Sequence, residues 1–399
     1  MKTTRFQAVG FCLFLAGALV GQASATSFQG LGSLMPGGSS AANGVSADGS
    51  TVVGVSDYME GPTNDDTGTQ AFRWTSATGM VGLGDPTGLG SSANAVSANG
   101  TVVVGGSGAD MNPFAFRWTG SGLDAIGGLA GAHSRANGVS ADGSTVVGES
   151  VTASGPYHAF RATGGGANDL GALSDGGSFA NGVSADGSVA AGWTYGPGSM
   201  DAQACVWRKD GQLVGLGDLA GGTILGGFNS TATAVSADGS VVVGESIVSA
   251  STFHAFRWTD PGAGVDPSTG MVDLGALGDG SSKAYAVSAD GKVIVGDSGE
   301  AFIWTPDGGM QSLRDLLDVK YGLGQELAGW TLFAATGISA DGLVIVGTGI
   351  DPDQQAEAWI ADLRPTGEAD GAVPEPLTIL GALAGMASLG GYVRRRRLA

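Results

Sequence analysis

The sequence predicts an all-β fold, a seven-bladed β-propeller of four-stranded blades, and three observations lead to it. A phrase of the form Val-Ser-Ala-Asp-Gly occurs seven times between Val45 and Gly342, with one Asn for Asp and one Ile for Val. Successive copies lie about 43 to 52 residues apart, which is the length of a blade of four short strands. The last copy lacks a fourth strand, and the chain ahead of the first copy contains an unpaired apolar segment that can supply it.

Residues 1–25 have the parts of a secretory signal peptide. A basic start and an apolar run over residues 11–20 precede a small-residue cleavage motif, made by Ala23, Ala25 and Thr26 with the cut before Thr26. This pattern predicts recognition by a Sec-type export machinery. A permanent N-terminal anchor is the alternative, and the apolar run is short for a membrane span.

Residues 26–363 contain the repeats, and each copy predicts four strands. The first strand ends at Val-Ser, and Asp-Gly then predicts a tight hairpin turn because both residues tolerate positive φ. A β-branched run such as residues 51–54 predicts the second strand, residues 70–75 exemplify the third, and residues 271–277 the fourth. The apolar runs are short and interrupted by glycine, which disfavours helices.

The two ends of the repeat array predict a closed ring. The seventh copy stops after its third strand, over residues 357–363, whereas residues 28–34 read as a fourth strand without a repeat of its own. Adding this N-terminal strand to the last blade closes the circle and leaves no open sheet edge.

Charge and cysteine content narrow the function classes. The formal net charge is −19 and the pI is near 4.3, so the chain repels phosphate backbones and no nucleic-acid partner is expected. Cys12 lies in the leader, which leaves Cys205 alone and predicts no intramolecular disulfide in the processed chain.

The C-terminal end predicts a linker over residues 364–372 and a membrane tail over residues 373–399. Val373, Pro374, Glu375 and Pro376 precede an apolar stretch over residues 377–393, which ends in a basic cluster formed by Arg394, Arg395, Arg396 and Arg397. The stretch has the minimum length for a transmembrane helix, and the arginines are expected on the cytoplasmic side. A plain C-terminal anchor is the alternative.

This tail resembles the PEP-CTERM sorting signal of Gram-negative bacteria, in which a Pro-Glu-Pro motif, an apolar span and a terminal arginine cluster follow in order. The resemblance implies a transient stage in the inner membrane. It also implies cleavage near Pro-Glu-Pro by an exosortase-type enzyme, followed by release from the cell or attachment at its surface.

The repeats over residues 27–363 resemble the HAF family of extracellular repeats. His158-Ala159-Phe160 and His254-Ala255-Phe256 carry the full His-Ala-Phe run, while other copies keep only Ala-Phe or depart further. The resemblance implies an extracellular protein. It implies no reaction, and it therefore adds no catalytic residues.

The sequence offers no catalytic set and no clear metal site. The two histidines of the repeat occupy equivalent positions, which favours a structural role, and each Asp-Gly turn offers one carboxylate where calcium needs several oxygen ligands. Calcium at these turns, or a cation at the loop containing Asp65 and Asp66, is retained as an alternative. Ligand binding is predicted instead on the loops after the second and fourth strands, which share one face and vary most. The candidate residues there are Tyr58, Asp65, Asp66, His133, Tyr157, Tyr195, Phe228 and Trp330.

These observations together predict an exported cell-surface or extracellular-matrix protein. Its non-catalytic propeller is expected to bind polysaccharide or another surface protein through the loop face. One alternative is a polysaccharide hydrolase or lyase with its site at the channel mouth, which requires converging carboxylates there. Another is a coat protein whose rings pack side by side.

Overall fold

The structure is a computed structural model that describes residues 26–60, 66–108, 113–130, 133–164, 166–196, 201–219, 229–262 and 264–365. Its strands form seven antiparallel sheets of four strands each, and the first strands of neighbouring sheets contact one another around a ring. The predicted seven-bladed β-propeller is confirmed.

The blades follow one another along the chain. Blade 1 is β2 (Ser40–Val45), β3 (Thr51–Glu60), β4 (Asp66–Thr75) and β5 (Gly79–Gly84). Blade 2 is β6 (Ser91–Val96), β7 (Val103–Ser107), β8 (Phe114–Trp118) and β9 (Leu123–Ala125). Blade 3 is β10 (Ser134–Val139), β11 (Thr145–Val151), β12 (Tyr157–Thr163) and β13 (Gly166–Asp169). Blade 4 is β14 (Ser178–Val183), β15 (Val189–Tyr195), β16 (Ala202–Arg208) and β17 (Leu213–Gly215).

The remaining blades complete the ring. Blade 5 is β18 (Ser230–Val235), β19 (Val241–Ser249), β20 (Thr252–Thr259) and β21 (Met271–Asp273), with a 3₁₀ turn over Pro267–Gly270. Blade 6 is β22 (Lys283–Val287), β23 (Ile294–Asp297), β24 (Ala301–Thr305) and β25 (Gly309–Ser312). One helical turn, α1 (Leu313–Asp315), continues as a π turn over Leu316–Lys320. Blade 7 is β26 (Thr331–Ile338), β27 (Val344–Ile350), β28 (Ala356–Asp362) and the N-terminal strand β1 (Ser27–Gly30).

The strand β1 closes the ring as predicted. It pairs antiparallel with β28, with Ser27 opposite Asp362 and Gly30 opposite Trp359. It is shorter than the predicted residues 28–34, because the chain turns at Gly32, whose φ is +74°. The Phe28 side chain is buried, with its ring centroid 5.2 Å from that of Trp330 and 5.9 Å from that of Trp359. This packing ties the start of the described chain to its last blade.

The Asp-Gly turns differ in detail from the predicted tight hairpins. Only the glycine has a positive φ, 73° at Gly49, and the Gly49 amide donates to the Ser46 carbonyl. The buried Ser46 hydroxyl accepts from the Thr51 amide at 3.0 Å and donates to Asp48 at 2.6 Å. The equivalent serines do the same in the other six blades. The serine therefore holds a longer four-residue loop in place.

The alanine of the repeated phrase joins neighbouring blades. The Ala47 amide donates to the Ala98 carbonyl at 3.1 Å, the same contact recurs blade by blade, and the Ala340 amide donates to the Ala47 carbonyl at 3.0 Å. Seven hydrogen bonds thus form a closed ring around the axis. Because each bond joins residues from consecutive repeats, the ring stabilises the assembly of blades rather than any one blade.

A second ring lies further along the innermost strands, at a β-bulge in each of them. The bulged residue of most blades donates a side-chain hydrogen bond to the next blade's first strand. Asn43, for example, donates to the Ala93 carbonyl at 2.8 Å, and Thr336 donates to the Ala42 carbonyl at 2.7 Å across the closure. Both rings make the inner wall of the propeller rigid.

The third strands fill the gaps between blades. Phe72, Phe116, Phe160, Phe256 and Phe302 are fully buried. Cys205 takes this position in blade 4, where burial raises the pKa of its thiol.

Among the described residues no helix is long and apolar enough to cross a membrane. The proposed signal peptide and the tail over residues 373–399 lie outside the described residues.

Candidate functional site

One face of the ring carries the connections after the second and fourth strands of every blade, because the sheets are antiparallel and the Asp-Gly turns lie at the other end. We call it the loop face and the opposite side the turn face. The central channel opens on the loop face between the first strands of the blades. The candidate site lies at this mouth.

Each blade contributes one register pair to the mouth, formed by a residue of its first strand and the residue opposite on its second strand. The seven mouth pairs are Ala41–Val55, Ser92–Gly106, Arg135–Glu149, Phe179–Trp193, Thr231–Glu245, Lys283–Asp297 and Ala334–Thr348. The pairs of blades 7, 1 and 2 are small and uncharged, whereas those of blades 3 to 6 are charged or aromatic. The mouth is therefore chemically asymmetric on a symmetric scaffold.

Four aromatic side chains form a cluster at blades 3 and 4. The rings of Phe179 and Trp193 stack with centroids 4.1 Å apart. Tyr195 meets Trp193 edge-on at 5.1 Å, and Tyr157 stacks on Phe179 at 6.2 Å. All four are only partly buried. Gly177 lies beside the cluster, and a Cβ there would lie 3.1 Å from the Tyr157 carbonyl oxygen and 3.4 Å from Cε2 of Phe179.

The mouth pairs of blades 5 and 6 are held by an ion pair between blades. The Lys283 ammonium lies 2.8 Å from Glu245, which also accepts from the Thr231 hydroxyl at 3.3 Å. Lys283 lies 5.7 Å from the ring centroid of Tyr285. Burial, followed by the charges of Asp297 and Glu245, raises the pKa of Tyr285 to about 12. The tyrosine therefore stays protonated at neutral pH.

The mouth pair of blade 3 places the Glu149 carboxyl opposite the cationic Arg135. Asn137 donates to the Glu149 carboxyl and, at 3.0 Å, to the Ala180 carbonyl. Burial raises the pKa of Glu149 to about 7, although the Asn137 hydrogen bond and the charge of Arg135 act in the opposite direction. The Glu149 carboxyl is therefore partly protonated near neutral pH.

The residues predicted from the sequence divide into separate groups. Tyr157 and Tyr195 meet in the aromatic cluster. Tyr58 lies on β3 against Gly68, and Trp330 packs edge-on against Phe28 rather than at the mouth. His133 precedes β10, where its carbonyl accepts from the Val151 amide at 3.0 Å. The side chain of Asp66 is not described, and Asp65 and Phe228 lie outside the described residues.

The repeat histidines and the turn carboxylates have structural partners. His158 Nδ1 lies 2.8 Å from Asp169, and His254 Nδ1 lies 2.9 Å from Asp273, so each joins the third and fourth strands of one blade. Hydrogen bonds from Ser140 and Ser144 lower the pKa of Asp142 to about 2. Within the described ranges, no group of three or more His, Cys, Asp or Glu residues is arranged to hold a metal ion.

No family model and no curated protein matches the sequence. A puromycin hydrolase mutant complexed with PGG is 16% identical, with a TM-score of 0.50 over 86% of this chain and 55% of that one. The β-propeller domain of the Trilobed protease from Pyrococcus furiosus is 8% identical, with a TM-score of 0.48 over 84% of this chain and 100% of that one.

A putative TolB from Agrobacterium tumefaciens is 13% identical, with a TM-score of 0.38 over 85% of this chain and 91% of that one. The likeness to the puromycin hydrolase mutant, at 16% identity and a TM-score of 0.50, concerns the fold alone and says nothing about activity.

Proposed function

We propose that this chain is an exported, non-catalytic protein of the cell surface or extracellular matrix, whose propeller binds polysaccharide at the loop-face mouth. The aromatic cluster is the observation on which the proposal depends. Flat aromatic faces contact the C–H faces of sugar rings, and the neighbouring carboxylates and ammonium group can bond to hydroxyls. Another surface protein, bound at the same face, is the alternative ligand.

The export part of the proposal depends on the two ends of the sequence. Residues 1–25 would direct Sec-type export, and the tail with Pro374, Glu375 and Pro376 would be processed by an exosortase-type enzyme after a stage in the inner membrane. Replacing Glu375 by Ala and fractionating the cells tests this step. We expect the variant to accumulate in the membrane fraction, whereas unchanged sorting would contradict the proposal.

A glycan array of the processed protein, followed by calorimetric titration, tests the binding part. Replacing Trp193 by Ala should weaken glycan binding by about thirtyfold, because a central aromatic contact contributes about 2 kcal/mol or more. Val272, which is 54% exposed on β21, gives the control: Val272→Ala should bind like the unchanged protein. Equal affinities for both variants would exclude the aromatic cluster as the binding surface.

A glycan hydrolase or lyase is the second candidate, and the mouth carboxylates favour it. Glu149, Glu245 and Asp297 occupy the same position in blades 3, 5 and 6. A carboxyl that remains partly protonated near pH 7, as Glu149 does, is what a general acid requires. Release of reducing ends that Glu149→Gln abolishes would replace the binding proposal with catalysis.

A further inference from the structure

A cavity of about 150 Å³ opens on the loop face beside Arg135, between blades 1, 2 and 3. Its walls include Ser92, Asn94, Gly106 and Arg135. It exists because the mouth pair of blade 2 has a glycine where blades 3 and 4 have Glu149 and Trp193. A Cβ on Gly106 would lie 3.4 Å from Cγ and 3.5 Å from Nε of Arg135. The missing side chain therefore leaves the arginine accessible from one side.

The charge of Arg135 acts on the neighbouring Glu149 carboxyl, but no ion pair or hydrogen bond neutralises it in the described part of the chain. Arg135 is exposed, and its guanidinium makes no hydrogen bond or ion pair with any residue described there. Glu149, its register partner, is instead bonded by Asn137. Lys283, the other cation of the mouth, is paired with Glu245. Arg135 is thus the mouth cation that is available to a ligand.

The polar wall of the cavity is fixed in place. The Asn94 side chain donates to the Ala136 carbonyl at 2.9 Å, as part of the second inter-blade ring. The Ser92 hydroxyl lies 3.3 Å from the Asn94 side-chain oxygen and 3.4 Å from the Asn43 amide nitrogen. Because the Ser92 hydroxyl and the Asn94 amide already donate to protein acceptors, the hydrogen bonds to an oxyanion come from the guanidinium, which binds one through two parallel hydrogen bonds.

We propose that this cavity is a subsite for the negatively charged substituent of a sugar residue, so that the polysaccharide bound at the mouth is an acidic one. The inference rests on the proposed function. The cavity volume of about 150 Å³ is several times what a single ordered water needs. That suits a carboxylate or sulfate with part of its sugar ring. Arg135 lies in the blade between the cavity and the Phe179–Trp193 pair, so one sugar stacks on the rings while its neighbour reaches the arginine.

The net charge of −19 repels an acidic polymer at long range, and this repulsion determines the ionic strength at which binding should be tested. At about 0.15 M salt the Debye length is about 8 Å, so remote carboxylates are screened while a contact with Arg135 persists. Binding of polygalacturonate, dextran sulfate and uncharged dextran to the processed protein should be titrated at this ionic strength. The first two probes distinguish a carboxylate from a sulfate ligand.

The matched variants are Arg135→Gln and Lys209→Gln. The first removes a positive charge at the mouth, and the second removes a positive charge on an exposed turn of the opposite face. We expect Arg135→Gln to weaken binding of one acidic probe by about tenfold or more and to leave dextran binding unchanged. Lys209→Gln should change neither. Equal effects of the two variants, or an equal loss for dextran, would overturn the subsite. Binding of the acidic probes that depends on Trp193 but not on Arg135 would overturn the subsite alone, and no binding of any probe would count against the proposed function as well.

Discussion

Replacing Phe28 by Ala tests whether the N-terminal strand holds the ring closed. Phe28 is 5% exposed and lies between Trp330 and Trp359, both of blade 7 or its connection. Removing its ring leaves a cavity among side chains that cannot collapse freely, and such Phe-to-Ala changes cost about 3 to 5 kcal/mol. A domain of ordinary stability has about 5 to 15 kcal/mol in total. The expected loss is therefore a large part of the free energy of unfolding.

Urea unfolding followed by tryptophan fluorescence measures this loss, because both tryptophans next to Phe28 report on blade 7. Gln29→Ala is the matched control, since Gln29 is the next residue of β1 and its side chain is exposed. Its cost should stay within about 0.5 kcal/mol. A separate early transition in Phe28→Ala would show that blade 7 opens first. If both variants unfolded at the same urea concentration, β1 would not be what holds the last blade.

Three further outcomes are expected. Ser140→Ala should cost about 1 to 3 kcal/mol in urea unfolding, because the buried Thr145 amide loses its 2.9 Å partner, while the exposed Ser144→Ala should be near neutral. Because burial raises the pKa of Glu149 to about 7 from 4.5, its contribution to stability is present below about pH 4.5. That contribution is lost as the pH rises through 7. Glu149→Gln should therefore remove a pH dependence of about 3 kcal/mol between pH 4 and pH 8, and a loss in the opposite direction would contradict the assignment. Cys205, fully buried, should react with a thiol reagent only at the rate of unfolding, and fast labelling of the folded protein would refute its placement.

The blade count and the ring closure could be predicted because they depend on patterns that the chain repeats. Seven copies of one phrase set the number of sheets, and an unpaired strand at one end matched a missing strand at the other. The role of the alanine in that phrase could not be predicted in the same way. Its amide bonds to the next blade, as Ala47 does to Ala98, and a local pattern does not say which residues of two repeats meet.

The candidate site was only half predictable. The sequence predicts Tyr157 and Tyr195 as loop residues, and they lie at the ends of β12 and β15. Phe179, Trp193 and Arg135 lie within strands, where the sequence predicts no ligand-binding residue. A signal for Phe179 and Arg135 exists in the sequence, because the residue just ahead of the recurring first-strand alanine changes from copy to copy. Trp193 lies opposite Phe179 on the second strand. Strand alternation does not show which face Phe179 and Arg135 lie on, because a β-bulge two residues later shifts the register between the first and second strands of the blade.

The two ends of the described chain leave the propeller at one place, and this decides how a tethered ring is oriented. The Thr26 hydroxyl donates to the Arg364 carbonyl at 3.2 Å, and Arg364 reaches the Asp48 carbonyl in an Asp-Gly turn at 3.3 Å. A linker over residues 364–372 spans at most about 30 Å when fully extended. If the tail is embedded in the bilayer as proposed, the linker holds the turn face next to the membrane. The aromatic mouth then faces away from the lipid, where long polymers in the surroundings can reach it.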